Sequence, residues 1–211
     1  MRRIKVVVST TLLMCAFTFF GHNPYVSSAA NLSTDQSRTG LDKDLIYFVF
    51  PDRYINGDTT NDGGNGFDPT STAFFHGGDL KGLTGTCESG DNGLARIKSL
   101  GFTAVWLTPL VVQQAATSNG AGYHGYWGVD FTNVDPHLGT KKDLEALSSC
   151  AKKLGLKLIL DVVTNHTGDV IKYNGQTAYV PEGLQAVKSP NWLNDLSNYH
   201  NVGDMSRCWG N

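Results

Sequence analysis

Basic clusters are what this sequence most plainly lacks. Its 17 Lys and Arg are outnumbered by 19 Asp and Glu. Past the first few residues no Lys/Arg run is found, so the footprint of a nucleic-acid-binding protein is missing. Long apolar runs are absent too. The apolar stretch over residues 6–20 contains hydroxyls and falls short of the ~18 residues that a membrane span needs. With Arg2, Arg3 and Lys5 before it and Ser28-Ala29-Ala30 after it, residues 1–30 have the layout of an export signal, with no membrane contact left after cleavage. Its removal leaves 14 basic against 19 acidic side chains. Cysteine is also scarce. Cys15 goes with the signal, and Cys87, Cys150 and Cys208 remain. An odd number in an exported chain leaves a free thiol, an intermolecular bridge or a partner outside this sequence. Residues 31–43 are polar and read as a disordered leader.

What is present is a repeating rhythm. Residues 44–50, apolar after Asp44 and rich in β-formers, read as a first strand that Pro51 ends. Leu94, Ile97 and Leu100 keep helical spacing, with Gly101 placed to stop the helix. A second strand covers residues 103–109. Thr140 and Asp143 form a capping box for a second helix, whose buried stripe is Leu144, Leu147, Ala151 and Leu154 and whose end is Gly155. Leu156 to Leu160 is then a nearly unbroken apolar run, the pattern of a strand buried on both faces. This β-α-β-α-β order, with crossovers of helix length, predicts a parallel sheet.

Two connections stand out. Residues 110–139 are far longer than the usual two to six residues of a strand-to-helix loop. They carry Tyr123-His124-Gly125-Tyr126-Trp127, more aromatic than a disordered linker. After the third strand comes Asp161-Val162-Val163-Thr164-Asn165-His166-Thr167. Side chains at the carboxyl ends of parallel strands face the ligand site, which places Asp161, Asn165 and His166 where chemistry sits. The same stretch also fits a strand running into a helix cap and a surface loop. Beyond Thr167 the periodicity disappears, and residues 168–211 read as an irregular insertion.

The segment Asn56-Gly57-Asp58-Thr59-Thr60-Asn61-Asp62-Gly63-Gly64 is dense in oxygen-bearing side chains. Calcium takes six to eight hard oxygen ligands from such flexible loops. A surface loop held by its own side-chain turns has the same composition. An EF-hand is excluded, because no Glu stands at the twelfth position.

Taken in order, these motifs resemble glycoside hydrolase family 13, the α-amylase family, over residues 44–211. Asp161-Val162-Val163-Thr164-Asn165-His166 resembles that family's first signature region, and His124-Gly125-Tyr126-Trp127 with Asp130 resembles its substrate loop. Phe50-Pro51-Asp52-Arg53-Tyr54, the Asn/Asp loop and Gly77-Gly78-Asp79 complete the match. The resemblance implies an α/β fold: the first three βα units of a (β/α)8 TIM barrel over residues 44–167, then the start of the domain inserted after strand 3 over 168–211. It implies a secreted glycosidase acting on α-1,4-glucans by a retaining mechanism. A cyclodextrin-forming transglycosylase and a non-catalytic glycan- or calcium-binding module are the alternatives.

By the same resemblance, His124 and His166 would hydrogen-bond the sugar, Tyr126 would stack on its face and Trp127 would shape the pocket wall. Asn165 would bind a shared structural Ca2+, and Asp161 would be a buried structural carboxylate. A second Ca2+ would be held by Asn56, Asp58, Asn61, Asp62, the Gly77 carbonyl and Asp79. The family's nucleophile and acid/base follow strands four and five, which the resemblance places beyond Asn211. No Gly-x-Arg-x-Asp segment occurs in this sequence, so none of its residues is assigned a catalytic role. The 211 residues alone are therefore expected to be inactive, with an unclosed and aggregation-prone sheet.

Overall fold

The computed structural model describes residues 40–64, 66–169, 171–174, 177–179 and 190–199. The expected export signal, the leader up to residue 39, and Cys208 lie outside them. So does Asn211, beyond which the resemblance puts the catalytic carboxylates. The elements in chain order are β1 (Ile46–Val49), α1 (Leu80–Thr84), α2 (Leu94–Ser99), β2 (Ala104–Leu107), β3 (Val111–Gln113), β4 (Gly128–Val134), α3 (Lys141–Leu154), β5 (Lys157–Leu160), β6 (Lys172–Asn174) and β7 (Thr177–Tyr179).

Strands β1, β2 and β5 form a parallel sheet in that order, with Phe48, Trp106 and Ile159 in register. The helices lie on one face. Val49, Val105 and Leu107 pack there with Leu80, Leu83, Leu94, Ile97, Leu147 and Ala151. Each of the Val, Leu and Ile side chains contributes roughly 1.5–3 kcal/mol on full burial. The expectation of strands buried on both faces holds for one face only. Ile46, Phe48 and Trp106 alternate to the other side of the sheet and remain 39%, 45% and 39% exposed.

Helix α3 forms where the capping box places it. The Thr140 side chain accepts from the Asp143 amide, the Asp143 side chain accepts from the Thr140 amide, and Gly155 ends the helix in the left-handed conformation. Leu147 and Ala151 are buried, while Leu144 and Leu154 pack at the core's edge. Helix α1 has no counterpart in the sequence pattern. It is a single short turn capped by Asp79, whose Oδ1 accepts from the Gly82 amide.

Two connections are more ordered than their sequence suggests. Residues 110–139 are not one loop: β3 and β4 pair antiparallel within them, with register shifts around Val112. Strands β6 and β7 form a second antiparallel pair. Cys87 and Cys150 form a disulfide with 5.7 Å between Cα atoms. It fastens the segment between α1 and α2 to α3, which pairs two of the three cysteines that follow the expected signal.

Candidate functional site

The aromatic segment turns back at the carboxyl end of β2. Gly125 has φ +91°, and a Cβ there would stand 2.2 Å from the Pro109 carbonyl oxygen, so only glycine lets the chain pass this close. The turn aims three rings at one another. His124 lies nearly parallel to Tyr126, with centroids 5.8 Å apart, and meets the edge of Trp127 at 4.7 Å. The Tyr126 amide donates to His124 Nδ1 at 3.0 Å. The neutral imidazole must then carry its proton on Nε2, as a donor. Burial, and after it the charge of Arg53, holds the His124 pKa below its ordinary 6.5, so the neutral form prevails at pH 7.

The facing wall follows β5. The Asp161 amide continues the sheet by donating to Leu107, and Asp161 Oδ2 accepts a 2.9 Å hydrogen bond from the Tyr126 hydroxyl. Asp161 is half-buried rather than buried, because it stands at the open end of β5 between the exposed Leu160 and Val162. His166 Nε2 lies 3.1 Å from the Tyr126 carbonyl and donates to it, leaving Nδ1 as an acceptor in the neutral ring. His124, Tyr126, Trp127, Asn165, His166, Thr167 and Asp169 together line an open cleft of about 920 Å3. Residues 40 positions apart in the chain thus share one surface. It offers aromatic faces, one imidazole donor and one imidazole acceptor, a set that suits a ring with apolar C–H faces and a rim of hydroxyls.

Three residues that support this cleft carry no role in the sequence reading. Gln113 is nearly fully buried; its amide donates to the Val111 and Gly125 carbonyls and accepts from the Trp127 amide. Asp135, also buried, accepts from the Gln113 and His137 amides. Arg53 donates to the Thr72 and Phe74 carbonyls, pairs with Asp52, and lies 3.8 Å over the Tyr123 ring. The only sequence signal for Gln113 is a polar residue closing an apolar strand.

The Asn/Asp loop lies elsewhere, against α1. Asn56 Nδ2 donates to both oxygens of Asp62 at 3.0 and 2.8 Å. Gly77 sits so close that a Cβ would come 2.5 Å from Asp62 Oδ1 and 2.6 Å from Asn56 Nδ2. Asn61 Oδ1 is buried without a hydrogen-bond partner. Asp58 is paired with Lys81, and Asp79 Oδ2 accepts from the Gly57 and Asp58 amides. Among the described residues no three His, Cys, Asp or Glu side chains are grouped to hold a metal ion. The Asp62 carboxylate is met here by the Asn56 side-chain nitrogen, and the orphaned, buried Asn61 oxygen in the same loop fits a hard cation. Asn165 is exposed on the rim of the cleft, apart from this loop.

The family model for the alpha-amylase catalytic domain matches residues 48–192. The chain belongs to the alpha-amylase family. Its fold is accordingly that of a TIM-barrel family, seen here as α/β structure with a parallel sheet. An alpha-amylase of Streptomyces lividans is 39% identical over 187 residues, covering 67% of this chain and 20% of that protein. A cyclomaltodextrin glucanotransferase of Klebsiella oxytoca is 36% identical over 154 residues, covering 69% and 22%. Among solved structures, the cyclomaltodextrin glucanotransferase CldA superposes with a TM-score of 0.53 at 40% identity, over 59% of this chain and 26% of that one. The alpha-amylase-family chain thus spans about a fifth of the length of these curated relatives. No helix among the described residues is long and apolar enough to cross a membrane.

Proposed function

We propose that this chain supplies the sugar-gripping part of a secreted α-glucan-processing enzyme of the alpha-amylase family, comprising its first three βα units and the start of the domain that follows them. The observation that carries this reading is the convergence of His124, Tyr126, Trp127 and His166 on one cleft. In it, Tyr126 stacks on a glucose ring, Trp127 forms the wall, and His124 Nε2–H and His166 Nδ1 engage neighbouring hydroxyls.

Retaining cleavage needs two carboxyl groups ~5–5.5 Å apart across the scissile bond. Asp161 is hydrogen-bonded to Tyr126, and Asp169 pairs with Lys172. Neither is offered as nucleophile or acid, and we propose that the 211 residues bind glucan without cutting it. Titration with maltoheptaose, followed by tryptophan fluorescence, tests the first half of this reading. A saturable change is expected, and none at millimolar sugar would refute it. Release of reducing sugar from starch would refute the second half. Hydrolases and glucanotransferases both occur among the relatives, so transglycosylation is retained as the second reading.

Export is supported by the basic-then-apolar N terminus and by the Cys87–Cys150 disulfide, a bond that persists in oxidising compartments. For the metal, we propose a Ca2+ held by Asn56, Asn61, Asp62 and the Gly77 carbonyl. Asp58 and Asp79 would complete the set while bracing the loop through Lys81 and the backbone. This calcium would supply local rigidity, not chemistry. A second Ca2+ at Asn165 rests on the family resemblance and on that side chain's exposure.

A further inference from the structure

We propose that the adjacent residues Gln113 and Gln114 are positioning residues that set the spacing between the two walls of the cleft. This rests on the reading of the cleft as a glucan site and deepens it. Successive residues of an extended segment point to opposite sides, and here each side chain reaches a different wall.

Gln113 holds the aromatic wall. Its amide donates 2.7 and 3.1 Å bonds to the Val111 and Gly125 carbonyls, and its Oε1 accepts a 2.7 Å bond from the Trp127 amide. Gln114 reaches the wall after β5, where its Oε1 accepts a 2.6 Å bond from the Asp169 amide. The Gln114 amide in turn donates to the Trp127 carbonyl at 2.9 Å. Trp127 is therefore gripped at its N–H and at its C=O, and Asp169 is registered against it through Gln114. Neither glutamine lines the cleft; each acts on sugar only through the residues it holds.

The two differ in how they use the amide. Gln113 needs a donor and an acceptor, whereas Gln114 uses its oxygen on Asp169. Gln to Glu should therefore damage the Gln113 site, whereas Gln114 must lose its oxygen before it releases its wall. The full chain is compared with Gln113→Glu, Gln113→Leu and Gln114→Leu by hydrogen exchange and by maltoheptaose titration at pH 7 and pH 5.

At pH 7 both Gln113 variants should exchange at least tenfold faster over residues 122–127, with α3 unchanged, and bind maltoheptaose at least tenfold more weakly. Gln114→Leu, which removes the oxygen that holds Asp169, should bind at least tenfold more weakly at both pH values while exchange over residues 122–127 stays within twofold. At pH 5, normalised to the unsubstituted chain, Gln113→Glu should recover affinity, because its buried carboxyl takes up a proton and donates again; Gln113→Leu should not.

Unchanged exchange over residues 122–127 in both Gln113 variants overturns the proposal. So does the absence of acid rescue, or a loss of protection in α3 as large as that over residues 122–127. If the exchange pattern holds but the unsubstituted chain binds no maltoheptaose, the clasp stands and the sugar reading of the cleft falls.

Discussion

The Tyr126 hydroxyl donates a 2.9 Å hydrogen bond to Asp161 Oδ2 across 35 residues of sequence. It joins the ring proposed to stack on sugar to the end of β5, and it orients that ring without occupying its face. Burial, and next this hydrogen bond, raises the Tyr126 pKa above its ordinary 10.0. A hydrogen bond to an ionised group contributes about 1.5–3 kcal/mol when buried, and less at this half-exposed site. Tyr126→Phe should therefore weaken maltoheptaose binding several-fold, and Tyr126→Ala considerably more. Calorimetric titration of the two variants checks the order. In the unsubstituted chain, absorbance near 295 nm should show tyrosines still neutral above pH 10, Tyr126 and the half-buried Tyr54 among them.

Acid should loosen the aromatic wall. His124 is held neutral, and its Nδ1 accepts from the Tyr126 amide; protonation removes that acceptor. A depressed pKa means that this contribution to stability is fully present above 6.5 and is lost as pH falls through the lower folded-state value. Glucan affinity should decline over that window. His124→Asn, which keeps an acceptor but does not titrate, should flatten the pH profile around a weaker baseline.

Reduction should destabilise the helical layer. The Cys87–Cys150 bridge closes a loop with a sequence separation of 63, for which about 2–4 kcal/mol is the usual stabilisation. Urea unfolding with and without dithiothreitol measures it. A Cys150→Ser chain should match the reduced protein and should no longer respond to reductant.

Calcium should stabilise the chain through the Asn/Asp loop. At a free concentration 100 times the dissociation constant, the linkage amounts to about 2.7 kcal/mol. Chelation should lower the melting temperature, and Asn61→Ala should abolish that response. Asp79→Ala should cost stability whether or not calcium is present, because its carboxylate accepts from three backbone amides and caps α1. A melting temperature indifferent to calcium would refute the assignment.

The same loop contains a low-pH marker. The Lys81 hydrogen bond first, then those from Thr60, pull the Asp58 pKa from 3.8 down to about 2. Its contribution is present above 3.8 and is lost as pH falls through about 2. Carboxyl NMR titration should place the midpoint there, and Lys81→Met should return it towards 3.8.

Much of this was legible in the chain itself. The apolar runs around Phe48, Val105 and Leu158 and the capping box at Thr140 and Asp143 locate their strands and helix, because they depend on neighbours within a few residues. The order of motifs from Asp52 to His166 was sufficient to place the chain in its family. Local chemistry is written locally.

The rest required the fold. No periodicity in residues 110–139 announces the β3–β4 hairpin, since β3 is three residues long and its pairing is bulged. Nothing in the spacing of Cys87 and Cys150 selects them over Cys208; packing of α3 against the α1–α2 segment does. Gln113 looks like one polar residue after a strand until the chain returns at Gly125 and Trp127 to meet its amide. Asp161 gains its Tyr126 partner only because the chain comes back to it. The sequence by itself determined the segments of β1, β2, β5 and α3, whose patterns are local, and the family to which they belong. The tertiary structure decided which distant groups meet, because a hydrogen bond between residues 35 apart depends on the path of all the chain between them.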